Sequence, residues 1–127
     1  MELSHDFPPT PGSVPSARHA VDRLADQVPS RVLERIRAVV SELLGASTRY
    51  AERRGAERIG LRIQISEDRA RIEVGDLETN HDAKDEPVPS EIFGLSLYLV
   101  DHLVDRWGVV QTPGPVLWAE IDLPPPG

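Results

Sequence analysis

The stretch "IGLRIQISEDRARIEVGD", Ile59 to Asp76, decides the fold class of this chain. Apolar residues occupy every second position on either side of a polar "SEDR" segment; they are Ile59, Leu61, Ile63, Ile65, Ala70, Ile72 and Val74. Because side chains alternate between the two faces of a strand, this period predicts two strands that bury one face. The polar segment predicts a turn, so the two strands should form an antiparallel hairpin.

Two helical patterns precede this hairpin. From Ser16 onward, apolar residues recur every three or four positions, which predicts a first helix. Pro29 interrupts the pattern, and Ser30 is a suitable N-cap for a second and longer helix that continues toward Gly55. The apolar residues that hold its register are Val32, Leu33, Ile36, Val39, Val40, Leu43 and Leu44.

A loop, a third helix and a second pair of strands follow the hairpin. Residues 77–90 are polar and acidic, which predicts a long loop of the kind that often forms a lid. A third helix is predicted from Glu91 to about Trp107. Its apolar stripe, expected to pack against the sheet, is Leu95, Leu99, Leu103 and Val104, widened by Phe93, Leu97 and Val100. Two short strands joined by a Pro-Gly turn at Pro113 and Gly114 complete the pattern.

These elements predict an α+β fold that forms a two-layer sandwich. The sheet should have about four antiparallel or mixed strands, with three helices on one face. Residues 1–14 are rich in proline and lack periodicity, which predicts a disordered or extended lead-in outside the core. The domain is therefore expected at residues 15–123, followed by a proline-rich tail at residues 124–127.

Composition restricts the classes of partner and compartment. The net charge is −7 and no run of Lys or Arg could follow a phosphate backbone, so we expect no direct nucleic-acid partner and no anionic membrane surface. The chain has no cysteine, which excludes disulfides and thiolate metal sites. No apolar run approaches the roughly 18 residues of a membrane span. We therefore expect a soluble, cytoplasmic protein.

Three segments, "VVSELLGASTRYA", "RIEVGD" and "FGLSLYLVDHLVDRWG", resemble the anti-sigma-factor serine kinases of bacteria. Those kinases belong to the ATPase superfamily shared with gyrase and histidine kinases, often called the GHKL or Bergerat fold. The resemblance covers roughly residues 15–123. Its most specific segment, "LVDHLVDRWG", indicates the fold and carries none of the family's chemistry. It implies a histidine-kinase-like ATPase fold, with ATP and Mg²⁺ as cofactors.

The first box of that family is a Glu and an Asn four residues apart on one helix. Glu42 matches the Glu, which in the family orients or deprotonates the attacking hydroxyl. The resemblance thus implies that Glu42 is the catalytic residue. Ala46 stands where the family has the Asn that holds Mg²⁺, and a methyl group offers this ion no oxygen, so no metal ligand is predicted there.

The other two boxes give the nucleotide-binding candidates. Asp76 matches the Asp that accepts a hydrogen bond from the adenine amino group, but Glu78 and Asn80 replace the two glycines that follow it in the family. The third box is a Gly-x-Gly whose backbone amides meet the phosphates. Gly94 matches its first glycine and Ser96 replaces the second. The resemblance therefore implies nucleotide contacts at Asp76, Gly94 and Ser96.

Each matched residue also has a purely structural interpretation. Glu42 is a typical exposed helix carboxylate, Asp76 a typical turn residue, and Gly94 a residue that gives backbone freedom before a helix. Two functions stay open at this point. One is a regulatory protein resembling an anti-sigma factor, which acts by protein binding with a degraded ATP and Mg²⁺ site. The other is an active ATP-dependent protein serine kinase. The implied partner is a sigma factor or an anti-anti-sigma-type protein, and the resemblance also leaves open that the chain forms a homodimer.

Overall fold

The computed structural model describes residues 1–55, 57–75, 77, 95–111 and 115–125, with the backbone alone for residues 50–54, 95–97 and 111. In chain order the elements are β1 (Glu2–Phe7), α1 (Ser13–Val21), a one-turn 3-10 helix (Asp22–Leu24), α2 (Ser30–Arg54), β2 (Ile59–Ile65), β3 (Arg69–Gly75), α3 (Leu95–Leu103), β4 (Arg106–Gln111) and β5 (Pro115–Asp122). The predicted loop, apart from Leu77, and the predicted Pro-Gly turn lie outside the described residues.

The strands form one antiparallel sheet in the order β1-β2-β3-β5-β4. Its apolar residues align across neighbouring strands, since Ile63 faces Ile72, which in turn faces Ala119. The period-two pattern of the hairpin places these residues on the face that the helices cover, and all three are buried. The α+β class is confirmed, and the described sheet has five strands where the sequence predicted about four.

The additional strand is β1, which lies in the segment that the sequence predicted to be a lead-in. It pairs with β2 from Glu2 opposite Gln64 to Phe7 opposite Ile59. Leu3 and Phe7 are buried in the core. The chain is extended there, but the expectation that residues 1–14 lie outside the core is wrong. Two apolar residues followed by prolines are too weak a local signal, because the strand acquires its order from a partner that lies beyond two helices in the sequence.

The helices cover one face of this sheet, with α2 at the centre. Helix α2 begins at Ser30 as predicted and buries Ile36, Val40, Leu43 and Leu44 against the strands. Helices α1 and α3 both pack against α2. None of the described helices combines the length and apolar character that a membrane crossing requires.

Helix α3 differs from its prediction in its end and in the exposure of one predicted core residue, Leu99. It ends at Leu103, and Trp107 belongs to β4, where its indole Nε1–H donates a hydrogen bond to the Asp101 carboxylate at 2.7 Å. Val100 is fully buried, whereas Leu99, predicted to lie in the core, is 40% exposed. The segment "LSLYLV" has so many apolar residues that more than one helical phase fits it, so periodicity alone could not select the buried face.

The opposite face of the sheet carries a network of ion pairs. Glu120 is only 8% exposed and accepts hydrogen bonds from Arg106 at 2.9 Å and from Arg71 at 3.1 Å. Burial alone would raise the pKa of the Glu120 carboxyl, but these hydrogen bonds and the arginine charges outweigh it and hold the pKa below its ordinary value of 4.5. Arg71 also lies 4.7 Å from the centroid of the Trp118 ring. These ion pairs therefore link the neighbouring strands β3, β5 and β4 on this face.

Candidate functional site

Glu42, the predicted catalytic residue, lies near the middle of α2. Its half-buried side chain lines an open groove of about 520 Å³, together with Arg18 of α1 and with Leu99 and His102 of α3. Its carboxylate makes no hydrogen bond or ion pair with another described residue. Glu42 is therefore placed where a molecule that enters the groove could reach it.

Ala46 lies one helical turn after Glu42 and is 1% exposed. Magnesium prefers oxygen ligands in octahedral geometry, and this position presents only a packed methyl group. Thr48 has a buried hydroxyl without a hydrogen-bond partner among the described residues, but positions 46 and 48 point to different sides of a helix, so Thr48 is no substitute for the ligand. In the described ranges no three His, Asp or Glu side chains are grouped to hold a metal. Position 46 does not fit magnesium, and no reaction step is assigned to that ion.

Gly75 fixes the end of β3, immediately before Asp76. Its φ of 141° is unfavourable for residues with a side chain, and a Cβ placed there would lie 2.2 Å from the carbonyl oxygen of Pro115. On the other side of Asp76, the Leu77 N–H donates a hydrogen bond to the Gly75 carbonyl oxygen at 3.1 Å, and the Leu77 side chain covers Gly60. Asp76 lies outside the described residues, but both of its neighbours are held by close contacts.

Of the two phosphate-binding candidates, only Ser96 belongs to the described part of the chain. Gly94 lies outside the described residues, and Ser96 lies in the first turn of α3 with its side chain undescribed. Helix α3 packs against α2, and Leu99 and Leu103 of α3 line the same groove as Glu42 of α2.

Two features of this region do not follow from the family boxes. Gly75 was missed because its positive φ depends on the approach of Pro115, which is distant in sequence; a glycine directly before Asp76 at a strand end was the available signal. The exposure of Leu99 was missed because the sequence analysis placed this residue in the apolar stripe of the third helix. The excess width of that stripe was the signal that one side of α3 stays uncovered.

Comparison with known families agrees with this architecture. The sequence profile of a family described as histidine kinase-like ATPase domain matches residues 7–119, from the end of β1 into β5. A search of curated proteins finds no significant match. The five-stranded sheet with its helices on one face is consistent with the fold of that family. Because the match covers most of the chain, the chain belongs to the histidine kinase-like ATPase domain family.

Proposed function

We propose that this chain is a cytoplasmic regulatory protein of the anti-sigma type, which acts by binding another protein and makes no metal-dependent use of ATP. The family generally binds ATP and Mg²⁺. The observation that carries the proposal is the buried methyl group of Ala46, one turn after Glu42, where a magnesium site needs an oxygen. Phosphoryl transfer depends on a cation that neutralises developing charge, whereas protein binding does not.

The residues after Asp76 support the same proposal. Glu78 and Asn80 replace glycines that, in the resembled family, let the backbone pass close to the nucleotide. Glu78 would also bring a negative charge toward a polyphosphate, and like charges at short range repel. The expected partner is a sigma factor or an anti-anti-sigma-type protein, with a homodimer as a further assembly.

A second candidate function is an active ATP-dependent protein serine kinase that phosphorylates an anti-anti-sigma-type partner. The observation that favours it is Glu42 itself, which opens onto the groove and has no ion-pair partner among the described residues. A carboxylate in this state could accept the proton of an incoming serine hydroxyl. This function requires magnesium to be held without an oxygen at position 46.

ATP turnover separates the two candidates. The purified protein, Glu42→Gln and Ala46→Asn would be incubated with ATP and Mg²⁺, and released phosphate and phosphorylated protein would be measured, with anti-anti-sigma-type proteins added as acceptors. The proposal predicts no turnover above buffer for the natural protein or for Glu42→Gln. Turnover by the natural protein that Glu42→Gln abolishes, with its melting temperature unchanged, would establish the kinase instead.

A further inference from the structure

Two adjoining clefts lie where α2 meets α3, and together we call them the seam groove. It consists of two clefts of about 540 and 520 Å³, which share Glu34, Ala38 and Leu103 as lining residues. Along α2 it extends from Arg31 to Glu42. At about 1.5 Å per residue, this span of α2 is roughly 16 Å long, which matches three turns of a helix laid alongside it.

The seam groove is lined by apolar side chains that this chain leaves uncovered. Leu103 and Leu123 are half-buried, and Leu99 is 40% exposed. Tyr98, next to Leu99, is 61% exposed, and its ring centroid lies 4.6 Å from that of His102, a lining residue. Among the described residues, the exposed large apolar side chains are Met1, Tyr98 and Leu99; Leu99 lines the groove, and Tyr98 contacts its lining through His102. Apolar exposure concentrated at one groove marks an interaction surface.

The rim of the seam groove is more positive than the rest of the chain. The lining charges without an ion pair to another described residue are Arg18, Arg31, Arg35, Glu34 and Glu42. Arg37 and Asp122 also line the groove, but they already pair with Asp22 and Arg106. Three unpaired cations against two anions leave one excess positive charge, in a chain whose net charge is −7.

This positive charge is concentrated at one end. Arg31 and Arg35 lie one turn apart at the start of α2, where like charges repel each other and the positive end of the helix dipole. No acidic residue occupies the first turn of α2. Glu34, one turn after Arg31, offsets part of this positive charge, and the two arginines still outnumber it. An anionic group brought to this end by a partner would relieve both repulsions, so charge complementarity favours an acidic partner.

We propose that the seam groove binds an amphipathic helix of a partner protein, about three turns long, with acidic residues at the end that meets Arg31 and Arg35. Its apolar stripe would pack on Leu99, Leu103 and Leu123, as amphipathic helices use residues at i, i+3, i+4 and i+7 to fill a hydrophobic groove. This inference rests on the proposed protein-binding function and names its surface and the chemistry of its partner.

A selection from a displayed library of random helix-biased 16-residue peptides tests the inference. Enriched peptides should carry apolar residues at helical spacing and Asp or Glu clustered at one end. The dissociation constant of the most enriched peptide is then measured for the natural protein and for variants. The double variant Arg31→Glu with Arg35→Glu should weaken binding by about tenfold or more, because two attractions become repulsions. Leu99→Ser, at an exposed position, should weaken it by about fivefold or more.

Arg23→Glu is the matched control, because Arg23 is equally exposed but lines a different cleft between β1 and α1. It should change the dissociation constant by less than about twofold. Enrichment of basic or unpatterned peptides, no enrichment, or unchanged binding by both groove variants would overturn the inference. Melting temperatures confirm that each variant is folded. The binding assay contains no nucleotide. Magnesium-dependent ATP turnover would therefore refute the proposed function but would not change the measured peptide binding.

Discussion

Replacement of Gly75 by alanine should destabilise the protein strongly, because two separate costs arise at this one position. A φ of 141° is a backbone conformation that costs a residue with a side chain about 1–3 kcal/mol. In addition, the new Cβ would lie 2.2 Å from the Pro115 carbonyl oxygen and 3.0 Å from the Val116 Cα. These atoms belong to the backbone of β5 and cannot rotate away, so the two strands must separate.

Forced displacement in a packed interior costs about 1–3 kcal/mol more, which brings the total loss in the free energy of unfolding to roughly 2–6 kcal/mol. A domain of this size typically has about 5–15 kcal/mol in all. At roughly 3–5 °C per kcal/mol, the melting temperature should fall by about 6–30 °C.

Two other glycines provide graded controls in the same chain. Gly55 has a φ of 71° with nothing near its Cβ position, so Gly55→Ala isolates the conformational cost, about 1–2 kcal/mol. Gly12 has a φ of −65° and equally open surroundings, so Gly12→Ala should change stability by less than about 0.5 kcal/mol. Urea denaturation followed by circular dichroism would measure all three. A Gly75→Ala variant within about 1 kcal/mol of the natural protein, or a different order among the three, would refute this reasoning.

Four further substitutions test the packing of the helices and the charges on the sheet. Val100→Ala should cost about 1.5–3 kcal/mol in urea denaturation and Leu99→Ala less than about 1 kcal/mol, because only Val100 is fully buried; the reverse order would contradict the observed face of α3. Glu120→Gln should cost about 1–3 kcal/mol at neutral pH. Because the folded pKa of Glu120 is lowered, its stabilisation is present above pH 4.5 and is lost as the pH falls below that value, so the two unfolding curves should converge in acid; a constant difference would count against it. Ala46→Asn should cost about 1–3 kcal/mol, since position 46 is packed, and unchanged stability would show that the site is open.

Local periodicity was sufficient for the elements whose order is decided within their own segment. The β2–β3 hairpin and the long helix α2 were predicted because many apolar residues repeat at one unambiguous spacing. Strand β1 was not predicted, since Leu3 and Phe7 become core residues only after β2 pairs with them. In the apolar stripe of the third helix, Val100, Leu103 and Val104 pack in or against the core as predicted. Leu99 does not, because Leu99 and Val100 both fit a helical stripe and only the packing against α2 and the sheet distinguishes them.

The same distinction between local and distant signals applies to the candidate site. Helical spacing placed Glu42 and Ala46 on one helix, and the resemblance to the kinase family implied the role of Glu42 and the missing oxygen at Ala46. The constraint on Gly75 could not be predicted from its own segment, because it comes from Pro115 on a strand far along the chain. The seam groove arises only when α1, α2, α3 and the end of β5 are assembled, so no single segment contains its signal.

The proposed function requires that this member of an ATPase family lacks the magnesium-dependent part of the nucleotide site. The most direct test is a calorimetric titration of the purified protein with ATP, in the presence of Mg²⁺ and in the presence of a chelator. The account predicts that Mg²⁺ brings no gain in affinity, because position 46 offers the ion no oxygen. Micromolar binding of ATP that depends on Mg²⁺ would contradict the account and favour the kinase.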